Sequence, residues 1–235
     1  KQSGKPDSLA DNDVIALFED RESNIWIGLE ETGVNYLSTR KPFFESFKHE
    51  PGNPNSLDGS LVSAIYQDRE GILWVGTSGA LNRIDRKTGQ YTAYRSSGAQ
   101  FNTDAIAIYE DDSGVFWIGT FGHGIKRFDR RTRQFRDLAE GADGVSDSGK
   151  DVVMRFFKDH SGTVWTASWD ALKQFDPAKE RLTAFRPPAT KTPGPGFDVQ
   201  DILSITEARR GSLWLGTNLL GLINLDPVTG QWKNY

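Results

Sequence analysis

The sequence predicts an all-β chain, a β-propeller of four-stranded antiparallel blades. Three observations carry that prediction. First, a tryptophan recurs on a near-constant beat at Trp26, Trp74, Trp117, Trp165 and Trp214, with intervals of 48, 43, 48 and 49 residues. Second, each brings the same neighbours: DRESNIWIGL, DREGILWVGT, DDSGVFWIGT, DHSGTVWTAS and ARRGSLWLGT. Third, each unit reads as four short strands separated by turn signals, which is the size and make-up of a propeller blade.

The second unit shows the plan. LVSAIYQ is its first strand, ILWVGT its second, ALNRIDR its third and QYTAYR its fourth. Short runs rich in β-branched and aromatic residues, bounded by Gly, Asp and Asn, are the signature of strands. The five first strands are nearly continuously apolar, which predicts cover on both faces. The beat tryptophans are expected between neighbouring blades, each burying on the order of 200 Å². Asp20, Asp68, Asp111 and Asp159 open the turn between first and second strands, where Asp bonds the backbone two residues on and Gly supplies a positive φ. In the first unit Asn24 is expected to take that Gly role; in the fifth, Ala208 replaces the Asp.

The blades are expected at about residues 13–48, 61–95, 105–138, 152–186 and 202–235, in one propeller segment. The opening KQSGKPDSL resembles the linker HEPGNPNSL of residues 49–57. That likeness, with a start at Lys1 and a finish on a fourth strand, suggests a piece of a longer chain. Five blades either close on themselves or form an arc of a larger, about seven-bladed propeller. Two connectors, 139–150 and 187–199, are long and rich in Gly, Ser and Pro, as functional or mobile loops are.

Composition narrows the function. The chain has 235 residues, 28 Lys+Arg against 32 Asp+Glu and a net charge of −4, without a basic run. That argues against a nucleic-acid partner. Apolar runs fall far short of the roughly 20 residues that cross a bilayer, so no direct membrane insertion is expected in this segment. Cysteine is absent, which removes disulfides and thiolate metal sites.

Candidate ligand residues come from aligning the units on their tryptophans. The fourth residue after each is Glu30, Ser78, Phe121, Trp169 and Asn218. The framework on either side is nearly constant while this position changes chemistry each time. Aromatic, amide, hydroxyl and carboxylate groups suit stacking on sugar rings and bonding their hydroxyls. Trp169 is the first candidate, followed by Asp170, Phe121 and His123, because the fourth unit reads WTASWD in place of W(I/V)GT and a glycine loop. A second set lies seven residues before the turn Asp: Asp13, Leu61, Asp104, Val152 and Asp201, with Asp151 one residue out of register. Those carboxylates could bind a cation or polyol, or simply close turns.

Five copies of a first strand ending (E/Q)D, then xxG, a hydrophobic pair, W(I/V)GT, L(N/K)R(I/F)D and xxTGQ(Y/W), with the linker PGNPNSL, resemble the two-component regulator propeller repeat. The resemblance implies a periplasmic or otherwise extracytoplasmic sensor region of an inner-membrane hybrid histidine kinase that binds an oligosaccharide. It also implies further blades, downstream signalling domains and a homodimer as partners, and no cofactor. Two enzyme readings share the architecture. D-x-x-G-x-x-W at Asp159–Trp165 resembles the Asp-box of sialidases, and LWxGT followed by RID resembles streptogramin-lyase propellers. A pure protein–protein scaffold is the third alternative. The lyase type would need a metal and a histidine pair, yet His49, His123 and His160 share no repeat-equivalent position. The expected function is therefore non-catalytic.

Overall fold

A computed structural model describes residues 9–38, 44–95, 104–138, 152–185, 199–209 and 211–235. Asp151 and the connectors 139–150 and 187–198 lie outside the described residues. The chain is all-β, a β-propeller of five four-stranded antiparallel blades. The first blade holds β1 Val14–Glu19, β2 Ile25–Leu29, β3 Gly33–Leu37 and β4 Phe44–Phe47. The second holds β5 Val62–Gln67, β6 Leu73–Thr77, β7 Ala80–Asp85 and β8 Gln90–Tyr94. The third holds β9 Ala105–Glu110, β10 Phe116–Thr120, β11 Ile125–Asp129 and β12 Gln134–Asp137. The fourth holds β13 Val153–Lys158, β14 Val164–Ser168, β15 Leu172–Asp176 and β16 Arg181–Ala184, and the fifth β17 Ile202–Glu207, β18 Leu213–Thr217, β19 Leu222–Leu225 and β20 Trp232–Asn234. Strands follow chain order across every sheet, as hairpin connections dictate.

The chain forms two compact units. One comprises residues 1–118 and 128–135, the other 119–127 and 136–235. In the first unit, Trp26 packs with Val62, Leu73 and Val75 of the second blade, and Trp74 packs with Ala105, Phe116 and Phe128 of the third. In the second unit, Trp165 packs with Ile202, Leu213 and Leu215 of the fifth blade. These tryptophans do sit between blades, and burying an aromatic of this size is the largest single apolar contribution such a seam offers.

The Gly of the W-x-G-T motif is explained by the same seam. A Cβ at Gly76 would stand 2.1 Å from the Ala105 carbonyl oxygen, so the second strand can lie against the next first strand only without a side chain there. The fourth blade has Ala167 at this position, fully buried in the core with Ile202.

The first strands differ from the expectation of cover on both faces. β5 and β9 are largely buried, but β1 leaves Val14, Ile15 and Leu17 exposed, Leu17 by 70%. Nothing among the described residues covers that side of β1. Burial in a stacked architecture comes from a neighbouring blade, not from the strand itself.

The turn after the first strand corrects one expectation. Ser23, not Asn24, adopts the left-handed conformation (φ 61°), in the place held by Gly71 (φ 83°) in the second unit. Asn24 instead donates its side-chain amide to both Asp20 carboxylate oxygens, at 3.0 and 3.1 Å. Counting from the Trp explains the difference: Asn24 is the residue after the φ-positive one and aligns with Ile72.

Candidate functional site

Each blade has a turn end, between its first and second strands, and a loop end, where the first strand begins and the second finishes. The turn end consumes its polar groups. Asp68 Oδ1 accepts the backbone N–H groups of Glu70 and Ile72, at 3.0 and 2.9 Å, while Oδ2 accepts the Trp74 indole N–H at 2.8 Å. Asp20, Asp111 and Asp159 receive Trp26, Trp117 and Trp165 in the same way, at 2.9, 2.8 and 2.7 Å. Burial pushes the Asp20, Asp111 and Asp159 carboxyls up, yet the donated hydrogen bonds outweigh it and hold all three below the usual carboxylate value. Sequence reasoning placed these aspartates in structure but missed the carboxylate-to-indole bond. The constant six-residue separation of Asp and Trp was the signal for it.

The loop end joins the two candidate sets. The N–H of Glu30 donates to the Asp13 carbonyl at 3.1 Å, Ser78 to Leu61 at 3.3 Å, Trp169 to Val152 at 3.3 Å and Asn218 to Asp201 at 3.0 Å. Thus the residue four after the Trp sits beside the residue seven before the turn Asp. A β-bulge follows Asp13, Leu61, Val152 and Asp201, at Val14/Ala16, Val62/Ala64, Val153/Arg155 and Ile202/Ser204. The extra residue ends the ladder and turns the backbone there, as bulges do at strand ends beside functional sites.

Side chains at this end are less committed. Glu30, Ser78, Asn218 and Asp13 are exposed. Asp104 is half-buried, and its Oδ1 accepts the Gly79 N–H at 3.1 Å, which ties the β6–β7 turn of the second blade to the start of the third. Asp201 takes φ 53° and donates its N–H to the Trp169 carbonyl at 2.7 Å, tying the fifth blade to the fourth. Among the described residues no three His, Cys, Asp or Glu side chains group as a metal site.

The aromatic candidates do come together. Phe121 and Trp169, both in the second unit, form an edge-to-face pair with centroids 5.1 Å apart and planes at 84°, and both stay exposed, by 48% and 43%. Asp170 accepts an ion pair at 2.9 Å from Lys173, whose side chain is 2% exposed. Sequence reasoning did not single out Lys173, although a lysine between the apolar residues of LKQF is itself a signal. His123 is half-buried in the loop after β10. His49 Nδ1 bonds the Leu57 carbonyl oxygen at 2.7 Å, and His160 bonds the Glu207 carboxylate.

In the strand that leads to Trp169, the fourth blade carries two buried hydroxyls. Thr166 Oγ1 and Ser168 Oγ are buried without a hydrogen-bond partner among the described residues. Val75, Ile118 and Leu215 stand where Thr166 does in other blades. Thr32 Oγ1 in the first blade is in the same state, and a buried hydroxyl without a partner costs free energy.

The model of the two-component regulator propeller family matches residues 8–31, 56–79 and 100–122. The chain is similar in structure to the extracellular domain of the hybrid two component system BT3049 from B. thetaiotaomicron, with TM-score 0.74 and 22% identity over 96% of this chain and 29% of that one. The extracellular domain of BT4673 from the same organism gives TM-score 0.69 and 20% identity over 95% of this chain and 31% of that one. Virginiamycin B lyase from Staphylococcus aureus gives TM-score 0.66 and 13% identity over 95% of this chain and 69% of that one. At these identities the likeness carries the fold, and the chain spans less than a third of those two extracellular domains. No curated protein sequence matches it. Among the described residues, no helix is long and apolar enough to cross a membrane.

Proposed function

We infer, for a chain that carries two-component regulator propeller repeats, that it is a non-catalytic, extracytoplasmic ligand-binding part of a hybrid two-component signalling protein, and that its ligand is an oligosaccharide. The observation that carries the reading is the exposed pair Phe121 and Trp169, with Asp170 held beside it by a buried lysine. A pyranose ring offers C–H groups to an aromatic face and hydroxyls to a carboxylate, and the pair together with Asp170 supplies both. Within the first unit the exposed Glu30 and Ser78, with Asp13 and Asp104, and within the second the exposed Asn218, with Asp201, offer polar groups of the same kind at their own loop ends. His123, in the Phe121 loop, adds a donor or acceptor.

Partners follow from exposed apolar surface. Val14, Ile15 and Leu17 in the first unit, and Leu219, Leu222 and Val228 in the second, are exposed. Further blades of the parent protein or a second copy would bury them. Signalling then requires that ligand or partner bind two states with different affinity.

The test is calorimetric titration with a panel of neutral oligosaccharides against the wild-type chain and Trp169→Ala. Binding to the wild type that disappears in the variant, with the circular dichroism spectrum unchanged, is the expected result. A variant that binds as well as the wild type would remove Trp169 from the site.

A further inference from the structure

Arg86 and Arg130 are repeat-equivalent, each following the Asp that ends a third strand (Ile84-Asp85-Arg86 and Phe128-Asp129-Arg130). Arg130 is neutralised from both sides. Its guanidinium lies 3.3 Å from Asp68 Oδ2 in the preceding blade's turn and 3.4 Å from Glu110 Oε1 in its own blade, over the Phe116 ring at 4.8 Å. Both carboxylate side chains are only 1% exposed.

At Arg86 both carboxylates are missing for identifiable reasons. The residue matching Glu110 is Gln67, a neutral amide whose Oε1 accepts the Arg21 N–H at 3.4 Å. The residue matching Asp68 is Asp20, whose two oxygens are taken by the Asn24 amide, the Trp26 indole and the backbone N–H groups of Glu22 and Asn24. Asn24 thus spends the carboxylate that Asp68 offers to Arg130. Among the described residues, Arg86 pairs with no carboxylate. Instead its guanidinium is laid across two rings, 4.7 Å from the Trp26 centroid and 4.3 Å from Tyr36. That stacking fixes the group in place while leaving its charge and its edge N–H donors unspent.

Beside Gln67 and Arg86 there is a cavity of about 490 Å³. Arg21, Arg69 and Lys87 line it together with Arg86, against the carboxylates of Glu22 and Glu70. Arg21 Nη1 donates to the Arg69 carbonyl at 3.3 Å, and Arg69 donates to the carbonyls of Asp111 and Asp112, both at 3.1 Å. These bonds hold the guanidinium groups without cancelling their charge, although Arg69 also lies 3.6 Å from the exposed Asp112 carboxylate.

We propose that this cavity, between the turn ends of the first and second blades, is an oxyanion-binding site that takes the carboxylate, sulfate or phosphate group of a small ligand on Arg86, bringing from solution the negative charge that Glu110 supplies at the next seam. An oxyanion accepts the paired N–H donors of a guanidinium in the plane that a glutamate would use. The site is separate from the aromatic pair, because it belongs to the turn ends and not the loop ends.

The test is an NMR titration of the 235-residue chain with inorganic phosphate, inorganic sulfate and acetate, at constant ionic strength so that general screening cancels. Saturable shifts of the Arg21, Gly71 and Arg86 amides are expected with at least one of the three. Response to acetate assigns a carboxylate ligand; response confined to phosphate or sulfate assigns an ester of those acids. Arg86→Gln should weaken the response about tenfold or more, as loss of a charge-assisted bond does. Gln67→Glu should weaken it equally while raising the unfolding midpoint, because it supplies the missing carboxylate internally. No saturable response to any of the three anions, or a response that persists unchanged in either variant, would overturn the proposal.

Discussion

The two ends of the same blades have been put to opposite uses. At the turn ends, Asp20, Asp68, Asp111 and Asp159 each bond an indole N–H and the turn backbone, and their surroundings repeat from unit to unit. At the loop ends, the backbone bond between the residue four after the Trp and the start of the first strand repeats, but the side chains do not. A repeat architecture therefore separates its requirements. Positions that hold blade to blade cannot vary without cost, whereas positions fastened only through their main chain are free to carry any side chain. Arg86 is the informative exception, a turn-end group left without its repeat partners.

The strongest way to break the contrast is Asp68→Ala. It leaves the Trp74 indole N–H, two backbone N–H groups and part of the Arg130 charge unpaired in a buried seam. A loss of about 3–5 kcal/mol is expected in urea unfolding. A loss below about 1 kcal/mol would mean that the turn end is not the fastening it is described as here.

Acid should act on the same end. Asp20, Asp111 and Asp159 have carboxyls held below their usual value in the folded chain, so their contribution is present above the unfolded value near 3.8 and is lost as pH falls through the lower folded values. His160 has the opposite sign. The hydrogen bond and charge of Glu207 raise it above 6.5, so its contribution is complete below 6.5 and disappears as pH rises through the folded value. Thermal melts from pH 2 to 9 should show both limbs, and His160→Gln should flatten only the upper one.

Smaller effects sharpen the loop end. Thr166→Val replaces a buried, unpaired hydroxyl with the kind of side chain other blades use, and should stabilise the chain by about 1 kcal/mol. Reduced oligosaccharide binding in that variant would link the hydroxyl to the aromatic pair. Ser78→Ala should change stability by no more than about 0.5 kcal/mol, since its recurrent bond is made by the main chain. A larger loss would show that loop-end side chains also hold the fold.

Much of this was legible in the residues because the architecture is periodic. Five tryptophans gave the number of blades, and alignment on them placed Glu30, Ser78, Phe121, Trp169 and Asn218 at one equivalent position. Local assignment failed by one residue at Ser23, because the turn was aligned by residue type when backbone φ sets its register. Phe121 and Trp169 could be nominated singly, but their meeting edge to face depends on two loops 48 residues apart in sequence.

What the sequence determined by itself was everything that strand period, turn chemistry and repetition encode: twenty strands among the described residues, their pairing within blades, and the seam positions of Trp26, Trp74 and Trp165. What only the tertiary structure decided was which charged groups remain unpaired. Arg86 and Arg130 read alike along the chain. Their difference arises across the seams, where Asn24 of one blade occupies a carboxylate and Gln67 of the next fails to supply one. Charge compensation is set by neighbours in space, and a one-dimensional repeat does not record it.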